Sequence, residues 1–104
     1  MLRSVEQRRV PGSQVDPRVT ELRSAVSRLR RRLAAHPVEF RDRSIAEEEL
    51  AALAGLAAGD HPEIPALRRS LLVVAGAIGS VSALGEGVHE LRAAVDLFGP
   101  SPRG

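Results

Sequence analysis

The side chains able to do chemistry in this 104-residue chain are few, and their spacing decides against most of the reactions they could support. Three histidines are present, His36, His61 and His89, and the only local polar cluster around one of them is Asp60-His61-Pro62-Glu63. A metal centre needs three or four convergent ligands, whereas this proline-rich stretch has the composition of a turn. His89 and Glu90 have no nucleophile motif beside them. Ser70, Ser80 and Ser82 lie in an apolar stretch with no strand-turn-helix context. Glu47, Glu48 and Glu49 sit where the first turn of a helix is expected, and there the helix dipole favours negative charge. Gly76-Ala77-Ile78-Gly79 lacks the lysine of a phosphate-binding loop. With no cysteine in the chain, disulfides, thiolate metal ligation and thiol catalysis are excluded. These residues assemble no enzyme mechanism, and neither a cofactor nor a metal is expected.

One pattern has recognition potential. Arg28, Arg30, Arg31 and Arg32 form a run that could neutralise several phosphates and make nucleic-acid binding steeply salt-dependent. No second basic helix or helix-turn-helix signature accompanies it, and Phe40 and Phe98 are the only aromatic residues available to stack on bases. The pI of about 10.9 overstates the basicity, because the formal charge is only +2. All 15 basic residues are arginine, and with no lysine, tyrosine or cysteine no side chain titrates between neutral pH and the arginine pKa. Distribution is more informative: residues 1–43 hold 11 arginines against 5 acids, and residues 44–104 hold 4 against 8.

The elements that must position these groups are helices. Residues 1–15 show no sustained period and read as a flexible arm without the apolar run of a secretory signal, so a cytoplasmic setting is expected. Asp16-Pro17 opens helix one, the carboxylate serving an orphan amide and the proline sitting where no donor is needed. Val19, Leu22, Val26, Leu29 and Leu33 then recur as a heptad seam to about His36. Ser44 with Glu47 reads as a capping box for helix two (45–58), whose stripe is Ala46, Leu50, Leu53 and Ala57, with Gly59 as a left-handed terminator. Helix three is expected from 66 to 84, with large residues Leu67, Leu71, Val74, Ile78 and Val81 on one face. Leu72, Gly76, Gly79 and Ala83 line a second, mostly small face. Gly85-Glu86-Gly87 should break the chain before a short fourth helix carrying Val88, Leu91, Val95 and Phe98.

Short connections make these four helices a compact antiparallel bundle at 16–99, with 1–15 and 100–104 as disordered ends. Folding helix two back on helix one would bring Glu47, Glu48 and Glu49 towards Arg28–Arg32. The sixteen uncharged residues from Ser70 to Gly85 fall short of the about 20 a membrane span requires, and they include serines and glycines. A helix apolar on two faces instead calls for a buried or interfacial place. Each interior glycine costs roughly 1 kcal/mol of helix propensity relative to alanine, a cost that close packing can offset.

Asp16-Pro17-Arg18-Val19, Leu29 to His36-Pro37, Pro62-Glu63-Ile64-Pro65, the segment Leu67 to Leu84 and Leu91 to Gly99 together resemble a streptomycete-type, actinobacterial family of small helical proteins of unknown function. The absence of lysine and asparagine and the abundance of alanine, arginine, leucine and valine agree with a GC-rich genome. The resemblance implies a lineage and no activity. The favoured expectation is a non-enzymatic interaction module, a homodimer or the partner of another protein, using Leu72, Gly76, Gly79 and Ala83. The alternative is a small nucleic-acid-associated protein using the arginine run.

Overall fold

The computed structural model describes residues 16–59 and 61–99, which form four α-helices: α1 (Pro17–Ala35), α2 (Arg43–Ala58), α3 (Ile64–Ile78) and α4 (Ser82–Asp96). The expected arm at 1–15 and tail at 100–104 lie outside the described residues, as does Asp60. Each helix packs against two neighbours, α1 and α3 both contacting α2 and α4. The result is an all-α antiparallel bundle with no strand among the described residues.

The expected seams form its centre. Val19, Leu22, Val26, Leu29 and Leu33 of α1 are buried, as are Ala46, Leu50, Leu53 and Ala57 of α2. Leu67, Leu71, Val74 and Ile78 of α3 meet Leu84, Val88, Leu91 and Val95 of α4 in the same cluster. The core is aliphatic, and Phe40 and Phe98 pack against it while only partly buried.

The start of α1 follows the sequence expectation. Asp16 accepts the Arg18 amide at 2.9 Å, and Pro17 occupies the first turn. The Arg18 guanidinium also binds this carboxylate, and the two bonds hold the Asp16 carboxyl below the usual carboxylate range. From the same position Arg18 stacks over Phe98, 4.9 Å from the ring centroid, tying the start of α1 to the end of α4.

Other helix ends differ from expectation. α2 begins at Arg43, with no side-chain cap from its N-cap residue Asp42, so Ser44 lies inside the helix and cannot form the expected capping box with Glu47, which accepts from the Arg43 guanidinium at 3.2 Å. Gly59 ends α2 in an extended conformation (φ −80°, ψ 164°), not a left-handed one. Arginines from neighbouring helices supply the missing caps. Arg23 of α1 donates to the Ala57 and Ala58 carbonyls at 2.6 and 3.0 Å, closing α2. Arg43 of α2 donates to Leu33, His36 and Val38 carbonyls at 2.6, 2.8 and 3.2 Å, closing α1. Arg68 of α3 binds Asp96 and the Gly99 carbonyl at the end of α4. A guanidinium is suited to this work because its forked donors carry positive charge to the negative pole of a helix.

The largest correction concerns residues 66–84, which are not one helix. α3 stops at Ile78, Gly79 and Ser80 turn, Val81 is extended (φ −87°, ψ 107°), and α4 starts at Ser82. The Gly79 amide still reaches Ala75 O at 2.8 Å, but a side chain at Gly79 would collide with that carbonyl, so the turn requires glycine. Gly85-Glu86-Gly87, expected to break the chain, lies inside α4. Gly87 is buried against α1, where an added Cβ would stand 2.7 Å from Leu29 Cδ1 and 3.4 Å from Arg32 Nη1. The close approach expected of the small face of helix three is therefore made at Gly87.

Candidate protein interface

The four residues expected to share one helical face are distributed over two helices and a turn. Leu72 and Gly76 lie on α3, Gly79 in the turn, and Ala83 in the first turn of α4; all four are exposed. Helical spacing explains the α3 pair: with Leu67, Ser70, Leu71, Val74 and Ile78 turned inward, positions 72 and 76 must point away from the bundle. Leu72 is 66% exposed and its neighbour Val73 is 37% exposed. A Cβ at Gly76 would meet no atom within 4 Å. Gly76 and Gly79 thus have different roles, one opening on solvent and the other required by the backbone turn.

On the inner side of α3, Ser70 is buried and donates its hydroxyl to Glu49 at 2.6 Å. Glu49 is thereby engaged with α3, and Glu47 with Arg43. The expected pairing of Arg28–Arg32 with Glu47, Glu48 and Glu49 gives way to another partner. Glu90 on α4 accepts from Arg28 at 3.4 Å and lies 3.9 Å from Arg32. Sequence distance concealed Glu90, since it stands 62 residues from Arg28 and acts alone.

The arginine run is consequently divided around α1. Arg28 and Arg32 face α4, whereas Arg30 and Arg31 rim a groove between α1 and α2. That groove has a volume of about 590 Å³ and lies over Val26 and Leu50, both buried in the core, with Ala54 half-buried beside them. Arg31 makes a bond to Ser27 within its own helix at 2.9 Å. Neither Arg30 nor Arg31 forms an ion pair among the described residues. A second depression of about 630 Å³ lies between α1 and α4, where Arg18 is paired with Asp16 and Arg28 with Glu90.

Among the described residues no group of three or more histidines and carboxylates converges as a metal site, and no helix is long and apolar enough to cross a membrane. The described surface leaves Leu72, Val73, Arg30 and Arg31 exposed. Residues 11–99 match a family of unknown function, DUF5955. No curated protein and no solved structure matches the chain.

Proposed function

We propose, for a chain that belongs to the DUF5955 family of unknown function, a non-enzymatic role as a helical interaction module that self-associates through the outward face of α3. The observation that carries this reading is the pairing of Leu72, 66% exposed, with Gly76, whose missing side chain leaves open space one turn further along. A glycine inside a helix costs roughly 1 kcal/mol relative to alanine, and no close intramolecular contact offsets that cost at Gly76. A second α3 lying across this face would cover Leu72 and Val73 while using the clearance at Gly76. The proposal takes a two-fold homodimer as the simplest closed arrangement, with another protein offering a similar helix as the heterologous case. A cytoplasmic setting and an actinobacterial source belong to the same proposal, the source supported by the lysine-free, arginine- and alanine-rich composition.

Light scattering with sedimentation tests it. The full chain is expected to dimerise with rising concentration, and Leu72→Glu to remain monomeric with unchanged helical circular dichroism. Gly76→Leu should also weaken the dimer without harming the fold. A wild-type chain that stays a well-folded monomer at the highest concentration reached would overturn the proposal.

A further inference from the structure

The three connections of the bundle differ in how firmly they exclude a continuous helix. Pro37 stands between α1 and α2 and Pro62 between α2 and α3, and a proline disfavours the α conformation in the residue before it. The connection between α3 and α4, Gly79-Ser80-Val81, holds neither a proline nor a charge. Gly79 already has α-helical angles (φ −62°, ψ −24°), and its amide keeps the helical bond to the Ala75 carbonyl at 2.8 Å. The chain leaves the helical path at Val81, which is extended. Among the described residues the amides of Ser80, Ser82 and Ala83 have no backbone partner, and the N-cap residue of α4 supplies no side-chain cap.

Turning Val81 to helical angles would join α3 and α4 into one helix from Ile64 to Asp96, about 50 Å long. The three amides would then find the carbonyls of Gly76, Ile78 and Gly79 four residues earlier. The buried residues Leu67, Leu71, Val74 and Ile78 would continue through Val81 to Leu84, Val88, Leu91 and Val95 at unbroken intervals of three and four. Leu72, Gly76, Gly79 and Ala83 would share one face. A straight helix, however, carries α4 away from its own α1. Val88, Leu91 and Val95 would lose their cover, and so would Leu29 of α1. A second copy in the same state offers the matching surface, because its vacated seat is made of the same residues.

We propose that Gly79-Ser80-Val81 is a hinge through which two copies of the chain exchange α4. In each copy α3 and α4 form one helix, the two long helices run antiparallel about a two-fold axis at the hinge, and each α4 takes the other's place. Leu29 again enters at Gly87, and Arg28 and Arg32 again meet Glu90, now between chains. The closed and exchanged forms therefore differ at the hinge and in their dependence on protein concentration. Exchange is slow for the folded chain, since the core contacts of α4 must first be broken, and is decided while chains fold at high concentration. It does not depend on Leu72 and is thus independent of the pairing through the outward face of α3.

The test starts from the full chain carrying Leu72→Glu, which removes the pairing through α3. Refolded from urea at high concentration and then diluted, this chain is expected to retain a dimer that separates from monomer by size and returns to monomer only after a second unfolding. Gly79→Ala places a Cβ that collides with the Ala75 carbonyl in the turn, whereas a regular helix favours alanine, so it should raise the dimer-to-monomer ratio at least about fivefold. Ser82→Pro puts proline at the first position of α4, after an extended residue. That suits the turn and breaks a continuous helix, and it should abolish the dimer while the monomer keeps its helical circular dichroism. Chains with Arg28→Cys and chains with Glu90→Cys, refolded together and treated with a short bismaleimide, should give a covalent heterodimer, because position 28 of one chain then lies beside position 90 of the other. Refolding to monomer alone, a dimer that Gly79→Ala does not raise or that Ser82→Pro retains, or a dimer without the bridge between positions 28 and 90 overturns the proposal. Failure of the α3 proposal is read separately, from rapid dimerisation of Leu72→Glu that reverses on dilution.

Discussion

α1 meets its two neighbours in opposite ways. Against α4 the contact is close at one point, beside the depression lined by Glu21 and Ala93: Gly87 removes a side chain where Leu29 enters, and Glu90 gathers Arg28 and Arg32 above the junction. Against α2 the contact is open, with Ala54 and Ala57 leaving a groove and Arg30 and Arg31 standing over it without ion pairs among the described residues. One helix therefore presents matched charge on one flank and unmatched charge on the other. Small residues act differently in the two places. At Gly87 the vacancy is filled by a large side chain, Leu29, whereas beside Ala54 no side chain of α1 fills the space.

Breaking the close contact with α4 should have the largest effect. Leu29→Ala is expected to lower stability by about 2–5 kcal/mol in urea unfolding, and Gly87→Val by about 1–3 kcal/mol. The two together should cost less than their sum, because the valine occupies space the leucine vacates; strict additivity would show that Leu29 and Gly87 do not share that space. A smaller loss is expected where α1 and α2 are held only at their ends. Arg43→Met keeps the aliphatic stem but removes the guanidinium bonds to the Leu33 and His36 carbonyls, leaving Leu33 with only the His36 amide, and should lower stability by about 1 kcal/mol. The smallest effect belongs to the open flank. Ala54→Leu adds bulk where the groove has room and should change stability by no more than about 0.5 kcal/mol. A penalty comparable to that of Gly87→Val would mean that the two flanks are packed alike.

What was legible in the sequence follows from how far each signal reaches. The seams of α1 and α2 depend on a 3.6-residue period within one helix, and Leu22, Leu29, Leu50 and Leu53 are buried where that period places them. The Leu72 and Gly76 surface was visible for the same reason, as the complement of the buried α3 stripe. The turn at Gly79–Val81 was concealed because apolar residues continue on both sides of it without a charge, proline or asparagine to mark the reversal. Gly87 has the local signature of a breaker, yet Leu84, Gly87, Leu91 and Ala94 form a heptad pattern in which glycine occupies a core position. That phase was the available signal. The arginine caps and the α1–α2 groove had no local signature, since each is made by residues brought together from different helices.

The reciprocal caps have a consequence for how the chain is divided. Arg23 and Arg43 are exchanged between α1 and α2, each closing the other's helix, while Arg68 closes α4 and the Gly79 turn closes α3. The bundle is therefore two helical hairpins that each settle their own ends. Between them run the shared aliphatic core, the Ser70–Glu49 hydroxyl bond, the Glu90 ion pairs and the Arg18–Phe98 stack. The natural seam of the molecule is the connection from Gly59 to Glu63, where one self-closed hairpin hands over to the next.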